Sequence, residues 1–321
     1  MGSGNSKFNP ATDLLDLQGK VVLVTGGNRG IGLETVRHIA RRGAKVYLGA
    51  RSELSANEAI KRLQSDGLEP GNGQIIWFKV DLSHPKLAKE AAEDFLSKEK
   101  RLDVLINNAG GMPGEDRIDG MHIITIVNYL SPFVFTQTLT PLLNETASLP
   151  DSDVRIINVA SEAHKMTPSP STIRFRAKED LSPDYTRRFL SNFLVYCYTK
   201  FCFISWTQAL QRRFNASDVS ITCINVHPGA VDTFSRRFPL AAITGLPLRL
   251  LMLTPVQGAY TSLFAAASPV VAKEKDKYKG AYLKPFGVFV KPLKETEDED
   301  RQQELWKLTE DALTEMGVSS G

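Results

Sequence analysis

Tyr196 and Lys200, four positions apart, are the pair in this sequence best suited to moving a proton. Both fall in a stretch, Asn192 to Phe214, that reads as one long helix. At that spacing they share a helical face. A phenol ordinarily titrates about three units too high for proton transfer at neutral pH. A nearby ammonium stabilises the phenolate and lowers that value. Such a pair can hand a proton to a carbonyl oxygen and take one back from an alcohol. Tyr198 lacks this arrangement, because Cys202 stands four residues on.

A second chemical feature is the glycine-rich stretch Thr25–Gly32, with Gly26, Gly30 and Gly32 spaced G-x3-G-x-G. Glycines let a backbone bend close to a pyrophosphate, whose charge the free N–H groups of a helix start can receive. The turn residues Gly26, Asn28, Arg29, Gly30, Ile31 and Gly32 are therefore expected to hold a dinucleotide. An acid just after the second strand would bond both ribose hydroxyls of NAD and repel a 2′-phosphate. The sequence there is Gly49-Ala50-Arg51, with no acid, and Arg29 sits in the turn itself. Two guanidiniums favour a doubly charged phosphate, so the expected cofactor is NADP. Further along, Asp81 and Leu82 are placed to meet the adenine, with Asn108, Ala109 and Gly110 where backbone approaches the cofactor. Pro228, Gly229 and Val231 fall near the nicotinamide.

These groups need a scaffold that brings strand ends together. Val-rich runs at Lys20–Thr25, Lys45–Ala50, Gln74–Val80, Asp103–Asn107, Val154–Val159 and Val219–Val226 read as buried parallel strands, with a weaker one at Gly280–Leu283. Helical stretches lie between them: Ile31–Arg42 (closed by Gly43), Ser55–Ser65, Pro85–Ser97, then near 120–145, 188–214 and 255–268. Strict alternation predicts an α/β fold, a doubly wound parallel sheet of the Rossmann type in a single domain. Residues 1–17 are expected as a tail, 18–296 as the catalytic domain, and 297–321 as a helix and tail. The acidic run Glu295–Asp300 reads as a helix start. Leu305, Trp306, Leu308, Ala312, Leu313 and Met316 then form a stripe that docks on the body.

The glycine turn, Asn107-Asn-Ala-Gly110, Tyr196-x-x-x-Lys200 and Pro228-Gly229, in this order, resemble the short-chain dehydrogenase/reductase family. Val159-Ala-Ser-Glu-Ala-His164, Val226-His-Pro-Gly-Ala-Val-Asp-Thr233 and Leu305-Trp-Lys-Leu308 resemble its retinol-dehydrogenase-like branch, including fungal members. The resemblance implies Tyr196 as general acid/base and Lys200 as the residue that lowers its pKa and holds the nicotinamide ribose. It implies Ser161 bonded to the substrate oxygen, and Thr233 on the nicotinamide carboxamide. Asn128 would bend its helix around a water that connects Lys200 to solvent. His164 is a tempting base, but the scheme requires none. Oligomers through the long helices are also implied.

Lys and Arg total 39 against 36 for Asp and Glu, a balance that leaves no nucleic-acid footprint. The three cysteines, Cys197, Cys202 and Cys223, exclude a disulfide scaffold and favour a reducing, cytoplasmic setting. No uninterrupted apolar run is long enough for a transmembrane helix. Met1-Gly-Ser-Gly-Asn-Ser fits an N-myristoylation pattern with Gly2 and Ser6, but a flexible Gly/Ser start is the favoured reading.

Residues 162–195 hold Pro168, Pro170 and Pro183 with many charges, and read as an inserted surface loop beside the site mouth. The apolar segment 234–254 is expected to form a lid over a lipophilic carbonyl or alcohol substrate. With Arg236, Arg237 and Arg249, it is read alternatively as a peripheral membrane contact, or as an ordinary packing helix. The reading is thus an NADP(H)-dependent oxidoreductase. The rival is a catalytically silent nucleotide-binding sensor or scaffold.

Overall fold

The computed structural model describes residues 8–231 and 252–318. Its strands are β1 (Val21–Thr25), β2 (Lys45–Ala50), β3 (Gln74–Lys79), β4 (Val104–Asn107), β5 (Arg117–Ile118), β6 (Met121–His122), β7 (Val154–Val159), β8 (Ile221–Val226), β9 (Tyr282–Lys284) and β10 (Val288–Val290). Among the described residues, eight strands form one sheet in the order β10-β9-β8-β7-β4-β1-β2-β3. All its pairs are parallel except β9 with β10. This is the expected Rossmann sheet. Strand order reverses between β1 and β4, the position at which open α/β sheets bind ligands beyond the strands' carboxyl ends.

Each face of the sheet carries its own core, as the continuous apolar runs require. Leu23, Leu105, Ile156 and Cys223 pack beneath Phe133, Leu139, Phe201 and Trp206, while Val22, Val24, Ile106 and Ile224 meet the opposite layer through Val36, Ile39 and Leu263. The helices that supply these layers are α1 (Gly30–Arg41), α2 (Glu53–Ser65), α3 (Pro85–Lys98), α4 (Ile123–Thr125), α5 (Ser131–Ala147), α6 (Ser191–Ala216) and α7 (Pro255–Ala267). Gly43 follows α1 with φ +91°, a left-handed conformation in keeping with its place just past the helix end.

Four expectations need revision. The helix near 120–145 runs Ile123–Ala147 but is not α throughout: a π-helical turn, Ile126–Leu130, joins α4 and α5. An extra residue in one turn rotates all that follows by about 100°, but residues 121–136 are buried on nearly every face, so no stripe records the shift. The ribbon β5–β6 and the antiparallel β10 are too short to carry a strand signal. Residues 162–195 are not simply a surface loop, since Ile173, Phe175 and Leu181 are buried in the core. Nor is 8–17 a free tail: Leu14 and Leu17 are buried, and the Leu15 N–H donates to Ala267 O.

The acidic run behaves as expected in its second half. Asp298 caps the helix Glu299–Glu315 by accepting the Arg301 N–H at 3.1 Å. The apolar stripe docks, with Leu305, Trp306, Ala312 and Leu313 buried. By length and composition alone, Ile123–Ala147 could cross a membrane, but 78% of its most apolar stretch is buried within the protein. It is a core helix over the sheet.

Candidate active site

The cradle for a dinucleotide begins where β1 stops. Gly26 has φ +67°, and a Cβ at Gly32 would stand 2.3 Å from Gly26 O and 2.5 Å from Asn108 Nδ2. Only glycine fits at 32. Thr25 and Asn108 brace this turn: Thr25 Oγ1 accepts the N–H groups of Asn108 and Ala109 at 3.1 and 3.0 Å, and Asn108 Nδ2 donates to Thr25 O and Gly26 O. The Asn108 side chain therefore holds the turn's shape, while Asn28 Nδ2 ties it to Ser55 at 3.0 Å. Ile31 is half-buried beside Gly258.

Helix α1 starts with no side-chain cap on Arg29 and no acid in its first turn. Its leading N–H groups and positive dipole end suit a pyrophosphate. Arg29 and Arg51 are both exposed beyond β1 and β2. Asp81 Oδ1 accepts the Ser83 N–H, and Leu82 is buried in the core, so its side chain is turned away from solvent. The residues present fit a nicotinamide dinucleotide.

At the ends of β4 and β7 the structure brings Gly110, Asn128, Ser161, Tyr196 and Lys200 together. A Cβ at Gly110 would lie 3.1 Å from Asn128 Oδ1 and 3.6 Å from Lys200 Nζ. Lys200 Nζ donates to Val159 O at 2.7 Å and sits 5.7 Å from the Tyr196 ring centre. The Ser161 side chain lies near enough to the Tyr196 phenol to pull its pKa down. Ser161 also caps the short turn that follows it, accepting the Ala163 N–H.

The electrostatics correct the simple picture of a lysine acidifying a tyrosine. Both groups are almost wholly buried, and burial disfavours each one's charged form. The Tyr196 phenol is pushed up to about 12, against the opposing pull of Ser161, while the Lys200 ammonium is pushed down to about 7. Desolvation is thus the leading cause of both shifts. Tyr196 is a protonated donor at neutral pH, and Lys200 is poised between its two forms.

Asn128 lies in the π-turn, but its amide is engaged with protein. Oδ1 accepts the Gly111 N–H and Nδ2 donates to Gly111 O, both at 2.8 Å, with Thr199 Oγ1 at 3.3 Å. Pro228 and Gly229 follow β8, and a Cβ at Gly229 would fall 2.5 Å from Leu253. Val231 pairs with Leu253 in an isolated parallel bridge. Thr233, Arg236, Arg237, Arg249, residues 234–251 of the expected lid, and Gly2 with Ser6 lie outside the described residues.

His164 is no base. Both ring nitrogens are engaged with backbone: Nδ1 meets Ser161 O at 2.7 Å, and Nε2 accepts the Leu293 N–H at 3.1 Å. Nδ1 is therefore the protonated nitrogen. Tyr198 donates to Asp180 O and faces away from the pair. Sequence reading missed the apolar wall beside Tyr196, which includes Met112, Val127, Ala163 and Phe193. Phe193 stacks on Tyr196 at 6.3 Å and 23°. Its place three residues before Tyr196 on the same helix was the available signal.

The chain is similar to known proteins. Residues 20–174 match the family model described as short chain dehydrogenase. A short-chain dehydrogenase/reductase of Armillaria gallica is 41% identical over 320 residues, covering 98% of each chain. Human retinol dehydrogenase 11 is 38% identical over 258 residues, which is 79% of this chain and 75% of that protein. A short chain dehydrogenase from Burkholderia cenocepacia, solved with NADP, shares the fold with TM-score 0.61 and 23% identity over 85% of this chain and 98% of that one.

Proposed function

The chain belongs to the short-chain dehydrogenase/reductase family, in its retinol-dehydrogenase-like branch, and we propose that it is an NADP(H)-dependent oxidoreductase interconverting a carbonyl and an alcohol on a lipophilic substrate. The observation that carries this reading is the convergence of Ser161, Tyr196, Lys200 and Asn128 at the carboxyl end of the sheet, where Lys200 Nζ and Asn128 Oδ1 both border Gly110. Bound there, the nicotinamide supplies or accepts the hydride. All remaining work falls to side chains.

Ser161 fixes the substrate oxygen and Tyr196 gives it a proton. A phenol raised to about 12 stays protonated at neutral pH, the form needed to protonate an oxygen as a carbonyl is reduced. Lys200 is placed to hold the nicotinamide ribose and, when charged, to ease the phenol's loss of its proton. Asn128 keeps Gly110 and Gly111 in position against Lys200. The turn residues Gly26–Gly32 hold the pyrophosphate, with Asp81 toward the adenine and Pro228–Thr233 toward the nicotinamide.

Arg29 and Arg51, with no acid after β2, support NADP(H) over NAD(H). The wall of Met112, Val127, Ala163 and Phe193 supports an apolar substrate. Association of copies through the long helices α5 and α6 belongs to the same reading. The test is NADPH oxidation against a panel of lipophilic ketones, aldehydes and quinones, with NADH in parallel. Turnover favouring NADPH is expected. Tight nucleotide binding with no turnover on any member would point instead to a silent sensor.

A further inference from the structure

We propose that the last helix, Glu299–Glu315, is a working part of the active site: through the Tyr129–Thr309 contact it holds the π-turn that presents Asn128. This rests on the catalytic reading of Asn128 and Lys200 given above. Tyr129 is then a positioning residue, acting through its neighbour in sequence.

A π-turn inside a helix is rare and persists where surrounding contacts favour it over ordinary α-helix. Here the turn Ile126–Leu130 has Asn128 at its centre. Both ends of the Asn128 amide are fixed on Gly111, and the neighbouring Gly110 borders Lys200. A small rotation of the turn would therefore shift the Gly110–Gly111 backbone relative to Lys200. The amide ties the turn only to the Gly110–Gly111 backbone, so a hold from outside this pair is needed to set where both lie.

The anchor comes from 180 residues away. The Tyr129 hydroxyl meets Thr309 Oγ1 at 2.7 Å, in a fully buried setting. Thr309 already donates its proton to Leu305 O at 2.7 Å, so the phenol must be the donor in this contact. Burial raises the Tyr129 phenol well above its ordinary range, so it remains a donor. The ring is edge-on to Trp206 at 6.4 Å, and Phe133 connects it to Trp306 of the last helix at 5.0 Å. A second hold lies just upstream. Ser182 Oγ, from the 162–195 segment, accepts the His122 N–H at 2.9 Å and meets Thr125 Oγ1 at 3.3 Å. Remote segments thus brace the turn from both ends.

The experiment compares Tyr129→Phe, Thr309→Val and Thr309→Ser, each in the full chain. Amide hydrogen exchange at Gly111 is read without nucleotide, and steady-state kinetics are read beside it. Tyr129→Phe keeps the packing but removes the donor. It is expected to speed Gly111 exchange about tenfold, through easier local opening. It should lower kcat about tenfold with KM for NADPH unchanged, as a displaced positioning contact does.

Thr309→Val should match it, and the double variant should be no worse than either single. Thr309→Ser retains the acceptor and should behave as wild type. Gly111 exchange and kcat at wild-type levels in Tyr129→Phe, with only a lower Tm, would overturn the proposal. The exchange readout stands even where the enzyme reading fails, since it involves neither substrate nor turnover.

Discussion

The nucleotide cradle and the proton-transfer cluster lie side by side at the strand ends, yet they are held in different ways. The cradle is built mainly from contacts among the first four strands: Thr25 and Asn108 brace the glycine turn, and Asn28 ties it to α2. The cluster depends on distant chain. Asn128 sits in a turn anchored by Thr309, Lys200 is fixed on Val159 O, and the turn's upstream end is held by Ser182. A site half made of backbone geometry is robust to most side-chain changes but intolerant of an added Cβ. A site half made of buried side chains responds to burial and to remote packing.

The sharpest way to break the cradle alone is Gly32→Val, whose side chain would start 2.3 Å from Gly26 O. Nucleotide affinity, measured by calorimetric titration, should fall by at least about a hundredfold, because a misplaced phosphate contact is seldom recovered. Unchanged binding would mean that the pyrophosphate lies elsewhere. Arg51→Asp probes the same half more gently. It exchanges a cation for an acid beside the ribose and should move the NADPH-to-NADH preference in kcat/KM by about tenfold or more, equivalent to about 1.4 kcal/mol. Equal use of both nucleotides by the wild type would remove the assigned role of Arg29 and Arg51.

The smallest expected effect is on the pH dependence of stability, through Lys200. Burial lowers Lys200 to about 7 in the folded protein, whereas an unfolded lysine titrates near about 10.4. Between those values the unfolded chain binds more protons at this site, so its contribution to stability grows as pH rises from about 7 and is lost as pH falls back through about 7. Lys200→Met should flatten this part of the pH dependence, read as urea midpoints for the nucleotide-free protein. An identical slope in the variant would contradict the burial argument.

The same contrast explains what was legible in the amino-acid sequence. Val-rich runs and the glycine spacing specify local structure, so the strands and the phosphate turn were readable to within a residue or two. The Tyr196–Lys200 spacing gave a shared helical face because that is a local property too. What could not be read depended on partners far along the chain. The π-turn lies in a stretch buried on nearly every face, so no stripe records its phase shift. Ile173, Phe175 and Leu181 are too widely spaced among prolines and charges to announce a core contact. The opposed shifts of Tyr196 and Lys200 come from burial, which a four-residue spacing does not report. His164 appeared as a candidate base until Ser161 O and Leu293 N were seen to occupy both nitrogens.

The central claim is that the Tyr196 hydroxyl is the proton donor, and Tyr196→Phe tests it most directly when turnover and nucleotide affinity are measured on the same preparation. The account predicts turnover reduced at least about a hundredfold, the contribution of one general acid, with NADPH affinity essentially retained. Turnover within a factor of a few of wild type would contradict it.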